Sequence, residues 1–156
     1  TGNQPTALAL TRQNLPQYAG SGKIALKGGY VLEDCDGTPD VLLIASGSEV
    51  ELCVKAKAVL AEQNVKARVV SMPCMEEFEK QSAEYKASVL PKNVKARVCV
   101  EAATAHSWYA YAGDNGEIIA MDGFGASAPA AQLFNHFGFN VENVVEKALV
   151  SLKNCQ

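Results

Sequence analysis

Apolar and polar positions along the chain follow two different periods. Three short runs are almost continuously apolar and β-branched: Asp40–Ser46 (DVLLIAS), Lys66–Met72 (KARVVSM) and Lys95–Ala102 (KARVCVEA). Such runs predict strands buried on both faces of a sheet. Weaker strand patterns occur at Ala7–Thr11, Gly28–Asp34 and Glu117–Gly123. Between them lie helical patterns. Val50, Cys53, Val54, Lys57 and Leu60 keep helical spacing, and that helix is expected to run to about Asn64. Shorter helices are predicted at Met75–Gln81 and Ala83–Val89, stopped by Pro91, and helical turns at Thr104–Gly113. Pro129 opens a helix that ends at Gly138, and Asn140 caps a final amphipathic helix with Val141, Val144, Val145, Ala148 and Leu152 on one face.

Strands alternating with helices predict an α/β fold. The expected architecture is a three-layer open sheet of about five strands, mostly parallel with one antiparallel, with helices on both faces. The GGY strand is the candidate antiparallel edge. The turn DCDGTPD that follows it permits a hairpin with the next strand but not a parallel crossover. The segment NVKARV occurs twice, at Asn64–Val69 and Asn93–Val98, without the sustained period of a solenoid. It is expected to mark two neighbouring parallel strands entered by similar turns.

Composition narrows the picture. The chain has 156 residues, suited to one well-buried domain. Lys plus Arg number 14 and Asp plus Glu 17, for a net charge of −3 with the signs interspersed. That pattern is not a nucleic-acid footprint. No apolar run reaches membrane-spanning length and no signal peptide opens the sequence, so no membrane partner is expected. Five cysteines without a C-x-x-C pair read as reduced thiols, hence an expected cytoplasmic location. His106 and His136 have no zinc-ligand spacing around them.

Five features bear on chemistry. In ASGSEVEL, Ser48 and Glu51 have the spacing of a capping box: the serine accepts from first-turn amides and the glutamate reaches back. The same helix start could bind an anion, but Glu49 and Glu51 oppose a phosphate there. Gly123-Phe124-Gly125 lacks the third glycine of a dinucleotide fingerprint. Glu101 ends a buried strand, where α/β ligand sites lie, and with His106 it is either an acid–base pair or a structural carboxylate. Trp108, Tyr109 and Tyr111 form a core or interface cluster. Arg12, closing ALALTRQNLP, is either a surface ion pair or a clamp for a phosphate or carboxylate.

The segments PTALALTRQNLP, GGYVLEDCDGTPDVLLIASGSEVEL, VKARVVSMPCMEEFEKQSAEYKASVLP, ARVCVEAATAHSWY and FGASAPAAQLFNHFGFNVENVV, in this order, resemble the C-terminal part of transketolase over essentially the whole chain. The resemblance implies a fragment. Residues 1–20 would be the last strand of the middle, pyrimidine-binding domain plus a linker, and residues 21–156 the C-terminal domain. It implies an intact homodimeric enzyme of the pentose phosphate pathway that moves a two-carbon ketol unit from a ketose phosphate to an aldose phosphate. Thiamine diphosphate and a divalent metal, magnesium or calcium, would be held by the upstream domains, with no cofactor or metal expected in the fragment. In TRQNL, the family's arginine binds the terminal phosphate of the sugar, which maps onto Arg12. No catalytic, cofactor-binding or metal-binding residue is assigned to this chain. The fragment alone is expected to be inactive and to serve a structural, dimer-supporting role. An autonomous regulatory or partner-binding module of a thiamine diphosphate enzyme, with a site near Ser46–Ser48 or Glu101, is the alternative.

Overall fold

Strand β2 (Val41–Ala45) has no water-accessible side chain, and the fold is the means of covering it. The computed structural model describes residues 5–156. Its sheet has five strands in the order β1–β3–β2–β4–β5, with β1 spanning Tyr30–Glu33, β3 Ala67–Ser71, β4 Ala96–Val100 and β5 Glu117–Ile119. β3 and β4 flank β2 in parallel and in one register, with Val41 opposite both Ala67 and Ala96, and Ala45 opposite both Ser71 and Val100. β5 adds in parallel to β4, and β1 adds antiparallel to β3 at the opposite edge.

Side chains along β2 alternate between two cores. Val41, Leu43 and Ala45 face helices α1 (Val50–Glu62) and α6 (Val141–Asn154), through Cys53, Ala56, Leu60, Val144 and Ala148. Leu42 and Ile44 face the other layer, built from α2 (Met75–Glu79), α3 (Ala83–Val89) and α4 (Tyr109–Ala112), through Phe78, Val89, Trp108 and Tyr111. Helix α5 (Ala130–His136) buries no residue fully, and only Phe134 packs on the first core. The three layers and the single antiparallel strand agree with the sequence reading. No helix among the described residues is long and apolar enough to cross a membrane.

Three expectations need correction. The antiparallel edge strand pairs with β3, not with β2, so no hairpin forms. Residues 34–40 instead carry the chain past β3, a step of roughly two strand spacings, about 10 Å. The two NVKARV strands are not neighbours: β2 lies between them, and the repeat marks its two flanks. Residues Ala7–Thr11 form no strand. They are exposed, and a strand needs a partner ladder that none of the described residues supplies. Of the segment 1–20, residues 1–4 lie outside the described residues.

The linker does touch the sheet. The Ser21 amide donates to the Tyr18 carbonyl, closing a turn. Tyr18 packs on the first core. A Cβ added at Gly20 would lie 2.5 Å from the Leu32 carbonyl oxygen, so only glycine allows the backbone this close to β1. At the opposite end of the sheet a buried hydroxyl ties three elements together. Ser151 of α6 accepts from the Arg97 amide at 2.9 Å and donates to the Asn115 carbonyl at 2.7 Å. Asn140 caps α6 as expected, accepting from the Asn143 amide at 2.8 Å.

These two contacts should separate in a mutational comparison. Asn140→Ala removes one cap and should lower unfolding free energy by about 1 kcal/mol. Ser151→Ala strands a buried amide and a carbonyl together, at roughly 1–3 kcal/mol for each unsatisfied group, and should cost more. Urea unfolding followed by far-UV circular dichroism measures both. A Ser151→Ala variant no less stable than Asn140→Ala would mean that water replaces the hydroxyl.

Candidate functional site

In an open α/β sheet, ligands gather where successive connections leave toward opposite faces. Here that place is the crevice beyond β2 and β4. The chain leaves β2 toward α1 on one face, and leaves β4 toward Trp108 and α4 on the other. Ser46 follows β2 and Glu101 follows β4, and the Ser46 hydroxyl donates to Glu101 Oε2 across the crevice. A second carboxylate lies beside them. Glu49 is only 3% exposed, and the Ser48 hydroxyl donates to its Oε1 at 2.8 Å.

This arrangement replaces the expected capping box. Gly47, at φ +54°, turns the chain into a 3₁₀ turn over Gly47–Glu49, and α1 begins only at Val50. Ser48 donates to Glu49 and makes no side-chain cap, while Glu51 pairs with Lys55 at 2.6 Å. A buried carboxylate without hydrogen bonds costs several kcal/mol, more than the roughly 1 kcal/mol of a cap, so the hydroxyl goes to the carboxylate.

Burial pushes the pKa of both carboxyls up. For Glu49, hydrogen bonds from Ser48 and from the amides of Glu49 and Ala102 oppose the rise without cancelling it. For Glu101, burial is opposed by the Ser46 hydroxyl and reinforced by the charge of Glu49. The place where a helix N-terminus would receive a phosphate is thus filled by the protein's own acid. The site can hold or share a proton; it is not built to attract an anion.

The other sequence candidates fall elsewhere. His106 is exposed on a 3₁₀ turn, and no hydrogen bond joins it to Glu101 among the described residues; Glu101 instead accepts from the Ser46 hydroxyl, without capping a backbone amide or pairing with a base. Trp108 and Tyr111 are buried in the second core, whereas Tyr109 is exposed. Arg12 is exposed and makes no hydrogen bond or ion pair among the described residues. Its backbone is shaped by the Gln13 amide, which donates to Thr11 Oγ1 at 3.3 Å. Gln13 in turn lines a shallow cleft of about 390 Å³ with Ser48, Lys55, Phe134 and Asn140. Arg12 therefore lies on the segment that crosses the helix N-termini, with its guanidinium unengaged. Among the described residues no three His, Cys, Asp or Glu side chains converge to hold a metal ion.

Sequence reasoning missed Glu49 as a buried acid. It also missed the surroundings of the two arginines of the repeat. Each stands opposite Leu42, on the face of the second core. Arg68 forms a paired contact with Asp34, both bonds at 2.8 Å, and donates to the Ser88 and Val89 carbonyls. Burial raises the Asp34 pKa, but the hydrogen bonds from Arg68 and the Cys35 amide, with the charges of Arg68 and Lys57, together outweigh it and leave the carboxyl below its usual value. The signal available in the sequence was the arginine at the same place in both copies of NVKARV.

Comparison with known proteins bears on what these features belong to. Residues 28–140 match the family model described as transketolase-like TK C-terminal domain. Transketolase 1 of Escherichia coli is 57% identical over 148 residues, 92% of this chain and 22% of that protein. Transketolase of Halalkalibacterium halodurans is 48% identical over 156 residues, 97% of this chain and 23% of that one. Among solved structures, transketolase from Leishmania mexicana superposes with a TM-score of 0.84 at 39% identity, covering 91% of this chain and 20% of that chain. Transketolase from Pichia stipitis in complex with sedoheptulose-7-phosphate gives 0.83 at 42% identity, again over 91% and 20%. The chain spans about a fifth of the length of these relatives.

The crevice carboxylates make a signed prediction. A carboxyl whose pKa is raised on folding contributes fully below its unfolded value, 4.5, and that contribution is lost as pH rises through the folded value. Glu101→Gln keeps an acceptor for Ser46 and removes the titration. The variant should therefore match the parent in Tm near pH 4 and become progressively more stable than it toward pH 7. Thermal melts across this range decide; a variant less stable at pH 7 would show that the charge itself is needed.

Proposed function

The chain belongs to the transketolase C-terminal domain family, and from that membership we propose that it works as the last domain of an enzyme transferring a two-carbon ketol unit from a ketose phosphate to an aldose phosphate. The observation that carries this reading is the agreement of sequence and sheet with transketolases over nearly the whole chain. In this proposal residues 1–20 complete the sheet of a middle domain and residues 21–156 form the C-terminal domain of a cytoplasmic homodimer. The exposed Ala7–Thr11 segment, with Leu8 and Leu10 presented to solvent, supports the first part, because its apolar side chains have no cover of their own.

Arg12 is the residue we propose to meet substrate. Its guanidinium presents five N–H donors in a fork that matches a phosphate, and no described residue competes for them. The solved Pichia stipitis relatives include complexes with sedoheptulose-7-phosphate, xylulose-5-phosphate and fructose-6-phosphate, all ligands with the terminal anion that Arg12 would bind.

Thiamine diphosphate supplies the carbanion-stabilising chemistry of such a transfer. The residues described here do not fit it. The helix start that would receive a diphosphate is filled by Glu49, and no acidic or histidine cluster could hold the accompanying magnesium or calcium. In this reading the cofactor and metal belong to upstream domains. The 156-residue polypeptide alone is then inactive and contributes packing, dimer support and one phosphate contact.

Steady-state kinetics of the intact enzyme test the role of Arg12. Removing one charge-assisted hydrogen bond costs roughly 1.5–3 kcal/mol, so Arg12→Ala should raise KM for a phosphorylated ketose about 10- to 150-fold. A donor without phosphate should be unaffected. An unchanged KM for the phosphorylated donor would remove Arg12 from the site. Ketol transfer by the isolated 156-residue chain would overturn the division of labour.

A further inference from the structure

The two arginines of the repeat occupy equivalent positions, yet only one has a counter-ion. Arg68 is neutralised by Asp34. Arg97 donates to three backbone carbonyls instead: Val94 at 3.1 Å, Tyr111 at 2.9 Å and Pro91 at 3.3 Å. Among the described residues no carboxylate lies within ion-pair distance of it. Burial lowers its pKa, although an arginine remains cationic at neutral pH. Three of its five N–H donors are used, leaving one hydrogen on each terminal nitrogen. A half-buried cation held only by carbonyl dipoles favours an anion from outside.

Arg97 lines a groove of about 700 Å³ between α3 and α4. Ala83, Ala87 and Ala110 supply its exposed apolar wall, over a floor of the buried Phe78, Leu90 and Tyr111. Four other charged residues line it: Glu79, Glu84, Lys86 and Lys92. Glu79 is engaged twice, by Lys86 at 2.7 Å and by the Tyr111 hydroxyl at 3.0 Å. Glu84 turns to its own amide and to Ser82, which hold its pKa down. Lys92 has no partner among the described residues and lies on the loop that Arg97 holds through Pro91 and Val94. On its other side Arg97 borders a smaller pocket with Lys95 and Asp114.

We propose that this groove binds a small molecule joining an oxyanion to an aromatic or aliphatic body, the oxyanion between Arg97 and Lys92 and the body against Ala83, Ala87 and Ala110. Its place beside α3 and α4 makes it separate from Arg12 and from the crevice at Ser46 and Glu101. It does not depend on the ketol-transfer reading.

Arg97 also ties the loop at Pro91–Val94 to α4, so Lys92 carries the test. The 156-residue chain, labelled with ¹⁵N, is titrated with phenyl phosphate, inorganic phosphate and benzoate. The expected result is saturable shifts of the Lys92, Val94 and Tyr111 amides, with phenyl phosphate binding more tightly than inorganic phosphate. The order of phenyl phosphate and benzoate tells which oxyanion the site prefers. Lys92→Glu should weaken the apparent Kd of phenyl phosphate by about tenfold or more, because the ammonium no longer donates to the oxyanion. Arg12→Ala should leave it unchanged. No saturation by phenyl phosphate or benzoate at tens of millimolar, indifference to Lys92→Glu, or loss of binding in Arg12→Ala would each overturn the proposal.

Discussion

The rest of the domain depends on keeping water from five residues, Val41–Ala45. A strand buried on both faces must also have its backbone groups satisfied on both edges, because an unpaired amide there costs as much as a broken hydrogen bond. Two strands in one register meet that demand, and the chain supplies them from one repeated hexapeptide. Each copy begins its strand with an alanine opposite Val41. Each then sends an arginine to the side of the second core, where its head reaches the rim of the layer. One arginine meets a carboxylate just beyond the edge strand; the other meets a loop and the last turn of α4.

What was legible in the sequence follows from which forces are local. Continuous apolar runs mark β2, β3 and β4 because burial on two faces leaves no room for polar residues. Asn140 announces α6 because a cap acts within three residues. Pairing is not local. Nothing in DCDGTPD tells that the chain skips past β3, and nothing in NVKARV tells that its copies lie either side of a third strand. Ala7–Thr11 has strand composition without a partner, and composition cannot provide one. The site divides in the same way. Glu101 at a strand end could be read; its partner Ser46 is 55 residues away and could not. Glu49 read only as negative charge at a helix start, and it is tertiary packing that buries it. Arg12 drew its meaning from family resemblance, since its geometry here shows an exposed side chain and no more.

The closed crevice bears on how such domains diverge. The switch point beyond β2 and β4 has the topology of a ligand site, but its polar groups already satisfy one another. Ser46 serves Glu101, and Ser48 serves Glu49. A ligand there would have to displace a buried acid. On the other layer, by contrast, Arg97 is a half-buried cation that the backbone alone supports among the described residues.

The Gly20 turn against Leu32 has a consequence for assembly. β1 is the outermost strand, and an uncovered edge is a template on which a second chain can add. The backbone at Gly20 stands where such an intruding strand would have to lie. The linker is thus a guard as well as a tether. A larger side chain at that one position would push the linker away from β1 and uncover that edge.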